Sequence, residues 1–438
     1  MCLFLNQMIQ GQESKFHLQG DATSDKIEFQ LINNLIVIPV IVNNVELSFI
    51  LDSGVTKPIL FNILDGFEVL NDQTKETIFL KGLGDGEVVE AVKSQNNILQ
   101  IGEAVKFNQT IYAVYNTGLD YSPKLGIPIH GIIGYDLFKD FVVEINYSKK
   151  NIKLFNPEAY KHKVCKKCEK HSLRFYNNKP YLNAEVTIEN KQIPISVLID
   201  TGASDALWLF EDASKDIVST NTYFEDFLGY GLNGSLYGKR SKVDLLAIGS
   251  FTFDQSLVAF PTGTSIDALR QIKDRNGTIG AEILRRFNMT FDYKNNALVL
   301  KKNAYFKKDF EYNKSGIDIE HHGFRIVKDY YYTLSDGRLF FNTDVTEHIT
   351  NRPSSENYRL DVKPAFQIVK LREQSPAKNA GVEIGDIILE INNHDVKDYT
   401  LQEIIKIFSG KDGKNIKLLV ERQNKVFEYS FKLRDMLK

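Results

Sequence analysis

The sequence predicts a mostly β protein: two duplicated β-rich lobes related by a pseudo-twofold, then a small α+β domain. Three observations carry that reading. An ordered series of landmarks occurs twice along the chain. Strand signals dominate as far as residue 303. After residue 363 a strand, a helix and two more strands follow in a new pattern. Chain length agrees, because 438 residues make room for about three domains. Apolar content of 43% and charged content of 25% are ordinary for a folded chain. A net charge of −2 gives no global pull toward nucleic acid or anionic membrane. No apolar run is long enough for a transmembrane helix, and no cofactor or metal is expected.

Five segments follow in order: 1–25, 26–155, 156–178, 179–303 and 304–438. The first opens on Met1-Cys2-Leu3-Phe4-Leu5 with no basic residues before it. It is read as the remainder of a secretory signal, so export (periplasmic, extracellular or cell-envelope) is favoured over a cytoplasmic location. In the first lobe, Leu35–Ile38 and Val40–Val42 flank Pro39 as strand. Asn43-Asn44 then turns the chain into the apolar strand Ser48-Phe49-Ile50-Leu51, which ends at Asp52. In the second lobe, Asn190-Lys191 is read as the matching turn before Ser196-Val197-Leu198-Ile199 and Asp200. Short helices are expected at Tyr135–Phe141, Ala281–Phe287 and Ile266–Ile272.

Asp52-Ser53-Gly54 and Asp200-Thr201-Gly202 carry the chemistry. Each Asp ends an apolar strand, each hydroxyl can bond backbone across the two loops, and each glycine permits a close approach. Alone, such a tripeptide is ordinary turn vocabulary. The repeat around it changes the odds. The acids lie 148 residues apart, and glycine-rich Gly82–Gly86 and Gly229–Gly234 begin 30 and 29 residues after them. Ile101-Gly102 and Ile248-Gly249 come next, then Gly131-Ile132-Ile133-Gly134 and Gly277-Thr278-Ile279-Gly280. Phe141 and Phe287 follow, and then Asn146-Tyr147 and Asp292-Tyr293. Landmarks repeated in order mean duplicated lobes. Two carboxyls brought face to face cannot both ionise, so one would hold a proton as the other takes one.

The pattern resembles the aspartic proteases of the pepsin and retropepsin type over roughly residues 30–303. The resemblance implies Asp52 and Asp200 as catalytic residues in an aspartic-type endopeptidase, with a water held between them to attack a peptide bond. It implies support from Ser53, Gly54, Thr201 and Gly202, with Ile133-Gly134 and Ile279-Gly280 packed beneath the loops. A lid is implied too. Gly84, Gly86, Tyr230 and Gly231 are the candidates, although Gly82–Gly86 lacks the tyrosine that the family carries there. Val55-Thr56 also departs from the small residues that the family favours after the first tripeptide.

Between the lobes, His162, Cys165, Cys168 and His171 crowd a lysine-rich stretch. It is read as a solvated basic linker rather than a zinc or redox site, because a structural zinc uses two separated ligand pairs. A local disulfide is conceivable there. Trp208 is read as core and His321-His322 as exposed.

The last segment begins with strand signals at 305–330 and then a polar insertion within 320–362. The run Ser375-Pro376-Ala377 with Ala380-Gly381-Val382, Gly385-Asp386-Ile387 and the helical face Leu401, Ile404, Ile405, Phe408 resemble a PDZ domain of the protease-associated sort. That resemblance implies a peptide added as a strand, its terminal carboxylate held by backbone N–H groups. Gly316, Ile317, Asp318 and Ile319 are the candidate carboxylate loop, and Leu401 and Ile405 the opposite wall. The expected partner is a peptide or protein substrate, with a C-terminal peptide at this groove, no nucleic acid, and a monomeric chain. The alternative is a retired protease scaffold acting as a PDZ adaptor. Hydrolysis of glycosides by two carboxylates would leave the hydroxyl–glycine repeats unexplained.

Overall fold

The computed structural model describes residues 15–61, 69–70, 76–84, 86–115, 119–162, 165–270, 272, 274–333, 339–341 and 357–438. The expected signal remnant at Met1–Leu5, the middle of the 320–362 insertion and Gln271 of the expected Ile266–Ile272 helix lie outside these residues. Two compact units emerge. One comprises the residues up to Ser122 with Ile127–Phe310 and Met436–Lys438; the other comprises Pro123–Gly126 with Glu311–Asp435.

The chain is mostly β, as its alternating apolar runs require. In the first unit the duplication is visible strand by strand. Leu35–Val42 and Val45–Leu51 form a hairpin whose turn residues Asn43 and Asn44 both have positive φ, 47° and 71°. That is the two-residue turn whose twist matches its strands, and Asn tolerates it. The equivalent hairpin, Lys179–Ile188 with Lys191–Ile199, turns on Glu189 and Asn190, one residue earlier than Asn190-Lys191. Ile188 pairs with Lys191, which places both intervening residues in the turn.

Each acid strand then pairs in parallel with a three-residue strand from the end of its lobe. Gly131–Ile133 lies alongside Phe49–Leu51, and Gly277–Ile279 alongside Val197–Ile199. Phe49, Leu51, Val197 and Ile199 are fully buried there. Short helices follow at Tyr135–Phe138 and Ala281–Leu284, and another at Thr264–Arg270.

The lobes are joined by a sheet to which both contribute. Val142–Asn146 pairs antiparallel with Phe287–Asp292, with Val143 opposite Phe291 and Ile145 opposite Met289. These are the segments that follow the repeated Gly-x-Ile-Gly landmarks, so the duplication closes on itself here. Buried Phe138, Phe291 and Tyr293 stack across this join, Phe138 to Tyr293 at 5.4 Å between ring centroids. The basic linker is corrected in part: Cys168–Ser172 is a strand that pairs with Ala297–Lys302, and His171 is buried. Cys165 and Cys168 form a disulfide. Alternation of apolar residues at Leu298 and Leu300 gives this outer strand the face it needs.

In the second unit the sheet order is Leu339–Phe341, Ile317–Thr333, Asn357–Leu371, Ile387–Ile391, Asn415–Arg422 and Lys425–Lys432. Strand therefore extends into both ends of the stretch expected to be a polar loop. Cross-strand pairing, Ile326 opposite Val362 for example, carries the hairpin past the domain core. The helix Leu401–Phe408 is capped by Thr400, whose N–H donates to Glu403 Oε2 at 2.7 Å while Glu403 N–H returns to Thr400 Oγ1. Its Leu401, Ile404 and Phe408 enter a core with Ile317, Ile319, Phe366, Ile368, Ile388 and Leu418. Asp386, fully buried, accepts from Arg422 Nε at 2.6 Å and from Glu383 N–H at 3.0 Å. Removing one partner strands a buried charge. Arg422→Ala is therefore expected to destabilise this unit by about 3 kcal/mol in urea denaturation; a midpoint equal to wild type would show the guanidinium to be dispensable.

Candidate functional site

The two acid strands end side by side. Asp52 N–H donates to Ile133 O at 2.8 Å and Asp200 N–H donates to Ile279 O at 3.0 Å. Each parallel strand thus sets the height at which its acid emerges. Within each loop the carboxyl accepts from its own glycine, Gly54 N–H to Asp52 Oδ1 at 2.6 Å and Gly202 N–H to Asp200 Oδ1 at 2.9 Å.

Between the loops the hydroxyls cross over. Ser53 Oγ donates to Ile199 O at 2.7 Å, and Thr201 Oγ1 donates to Leu51 O at 2.7 Å. In return Ser53 N–H donates to Thr201 Oγ1 at 3.0 Å and Thr201 N–H to Ser53 Oγ at 3.1 Å. Both side chains are fully buried. Four bonds related by the pseudo-twofold therefore fix the distance between the acid strands. The glycines make that distance possible, since a Cβ on Gly202 would run into the Asp52 carboxyl and one on Gly54 would press on Asp200. Gly134 and Gly280 sit under the loops, where a Cβ would strike Asp52 O and Asp205 O respectively.

Asp52 and Asp200 come together across Gly54 and Gly202, with the Asp200 charge close enough to act on the Asp52 carboxyl. Burial, and then the Asp200 charge beside it, hold the Asp52 carboxyl well above the usual carboxylate range. Several neighbours were not singled out in the sequence. Lys179 is near enough to act on the Asp52 charge. Burial, helped by Asp52, pushes the Tyr121 hydroxyl up to about 12. Tyr293 is buried against both acids, and its hydroxyl is raised well above the tyrosine range. Tyr293 was a visible repeat landmark; Tyr121 carries no sequence signal of its own.

Three of the lid candidates, Gly84, Gly86 and Gly231, gather at one contact. The tip after Glu76–Leu80 meets the tip of the hairpin Phe224–Gly231 and Gly234–Ile248. Asn233, 5% exposed, joins them. Gly86 N–H donates to Asn233 O and Asn233 N–H to Leu83 O, both at 2.7 Å. Asn233 Oδ1 accepts from Gly82 N–H, and its amide nitrogen donates to Glu87 O. Gly84 lies against Asn233 and Gly231 against Leu83. Tyr230 packs on Phe227 at 4.7 Å between ring centroids, and Tyr121 Oη donates to Gly231 O at 3.2 Å. The hairpin base is anchored by Arg240, which bridges Asp226 and Asp205. Trp208, buried, also donates to Asp205, at 2.7 Å. Asn233→Ala should speed hydrogen exchange of the Gly82 and Gly86 amides by about tenfold or more; unchanged protection would mean the tips hold together without it.

In the second unit the candidate carboxylate loop is altered in role. Gly316 and Ser315 N–H both donate to Asn313 Oδ1, at 3.1 and 3.0 Å, and Ile317 N–H donates to Ser315 Oγ at 3.0 Å. Ile317 and Ile319 are core residues, Asp318 stands opposite Lys370 in the strand ladder, Leu401 is buried and Ile405 half-buried. His321, expected to be exposed, is half-buried with its ring 4.9 Å from that of Phe366. Among the described residues no cluster of three or more His, Cys, Asp or Glu side chains is arranged for a metal ion, and no helix is long and apolar enough to cross a membrane.

Comparison with known proteins gives three findings. A probable CtpA-like serine protease of Staphylococcus saprophyticus subsp. saprophyticus is 32% identical over 67 residues, which is 15% of this chain and 14% of that relative. The aspartic proteinase of Irpex lacteus is a solved structure that matches 65% of this chain and 99% of its own at 14% identity, with a TM-score of 0.41. That likeness is too weak to bear on fold or chemistry. The expectation of an aspartic-type endopeptidase is corrected by the first finding. The curated relative is a serine protease, a class that attacks with a hydroxyl rather than with water held by two carboxyls, so the enzyme type read from the repeated tripeptides is withdrawn. The third finding is a match of residues 367–422 to the PDZ domain family. It covers the end of Asn357–Leu371, the strands Ile387–Ile391 and Asn415–Arg422 and the helix Leu401–Phe408, and this part of the chain is a PDZ domain.

Proposed function

We propose that this chain is a protease that acts on peptide or protein substrates and carries a peptide-binding PDZ domain. One observation carries the reading: two lobes of one chain deliver Asp52 and Asp200 side by side, where burial and the Asp200 charge raise the Asp52 carboxyl well above the usual range. A protonated carboxyl against an acceptor is suited to grip and protonate a peptide carbonyl. That is the part proposed for the pair, with Ser53, Thr201 and the glycines as its frame. The joined tips would exclude water from a bound peptide. A protease relative over part of the chain points the same way. The Cys165–Cys168 bond supports an exported protein, since such bonds persist in oxidising compartments.

The test is cleavage of an unfolded protein by the full chain, followed by mass spectrometry and repeated with a panel of inhibitors selective for each protease class. The panel assigns the catalytic type. Asp52→Asn and Asp200→Asn are each expected to slow cleavage by about 10²- to 10⁴-fold. Wild-type cleavage by either variant would remove the pair from the mechanism. Peptide binding by a wild-type chain that cleaves nothing would replace the protease with an adaptor.

A further inference from the structure

We infer that the PDZ groove takes an internal, extended segment of a polypeptide rather than a free C-terminus. This rests on the peptide-binding reading of that domain. A terminal carboxylate needs a cluster of backbone N–H groups at the start of the groove strand. Here that cluster is filled from within. Asn313 Oδ1 accepts from the successive amides of Ser315 and Gly316, which are then not open to a carboxylate, and from Ser315 Oγ at 2.8 Å. Ser315 Oγ takes the next amide, that of Ile317. The Asn313 side-chain nitrogen donates to Ile317 O at 2.6 Å, which locks its carboxamide across the turn. Gly316, with φ of +82°, gives the backbone the bend that aims these amides at one point.

The nearby cations are turned to carbonyls as well. Arg372 Nη1 and Nη2 reach Asn313 O at 3.2 and 3.3 Å, and Lys314 Nζ reaches Ser409 O at 3.2 Å. A carboxylate arriving here would have to displace a neutral acceptor already bonded to these amides. An internal peptide bond makes no such demand.

The groove strand is also long. Among the described residues, Ile317–Thr333 is paired along one side by Asn357–Leu371 and on the other by Leu339–Phe341 at Tyr331–Thr333. Beyond the core residues Ile317 and Ile319 it displays Phe324 and Ile326, 75% and 72% exposed, with Val362 exposed opposite Ile326. A segment that continues along this strand gains apolar contacts that a four-residue terminus would not reach. The chemistry implied for the partner is an unfolded stretch with alternating apolar side chains.

The test uses the full chain and an array of short overlapping peptides from an unfolded protein, each made as a free acid and as a C-terminal amide. Paired affinities within about twofold are expected. A tenfold loss on amidation would overturn the inference and leave PDZ peptide binding standing. Binding of neither form would overturn that peptide binding itself, and the inference with it. As a second arm, Asn313→Ala with Ser315→Ala uncovers the amides and is expected to create a preference for the free acid. The wild-type pairs decide the matter even if that variant does not fold.

Discussion

Asp52→Asn is expected to raise the melting temperature near neutral pH while it removes the proton that the proposed cleavage requires. The fold pushes the Asp52 carboxyl well above the usual range, first by burial and then through Asp200. In the unfolded chain the same group ionises at the ordinary aspartate value. Between those two values the native state binds a proton that the unfolded state has lost, so stability falls as pH rises through that window. An asparagine keeps the shape, needs no proton and ends the repulsion. The expected gain is a few degrees, the size that ~1 kcal/mol produces in a domain this large. The slope of melting temperature against pH should flatten above the ordinary aspartate range in the same variant. A lower melting temperature for Asp52→Asn near neutral pH would show that the pair stabilises the fold, and would contradict a strained acid–base couple.

Thr201→Val should be the most damaging change of similar shape in the first unit. The side chain is fully buried, and its hydroxyl both donates to Leu51 O and accepts from Ser53 N–H. Valine fills the space and leaves two buried backbone groups without partners. At roughly 1–3 kcal/mol for each stranded group, the loss is about 2–6 kcal/mol. Ser53→Ala should cost less than Thr201→Val if the lobes relax, and the double variant should lose less than the sum, because both remove one interlocked set. Thr201→Ser, which restores the hydroxyl, should recover most of the stability. Urea denaturation measures all four. A Thr201→Val midpoint indistinguishable from wild type would mean that the crossing bonds do not hold the lobes together.

Much of this was written in the chain. The duplicated strands were legible because apolar alternation and paired turn residues are local signals. The Asn43-Asn44 turn was placed correctly, whereas the second turn was placed one residue late, since Glu189 gives no turn signal and takes its positive φ only from the register between Ile188 and Lys191. The PDZ domain was legible for the same reason as the first turn: a helical face and glycines in order are short-range features. The linker was misread where its strand is stabilised by Ala297–Lys302, far along the sequence.

What the sequence determined by itself was a mostly β chain with a doubled lobe, two strand-ending carboxyls and a C-terminal PDZ domain, because each is encoded in contiguous residues whose pattern repeats. Tertiary structure alone decided that Asn233 joins the two tips, that Tyr121 and Tyr293 stand beside the acids, and that Asn313 and Ser315 occupy the amides of the carboxylate loop. Those facts depend on which hydrogen-bonding groups meet across long separations or on how a turn aims its amides, and a side chain's partner in space leaves no trace in its neighbours along the chain.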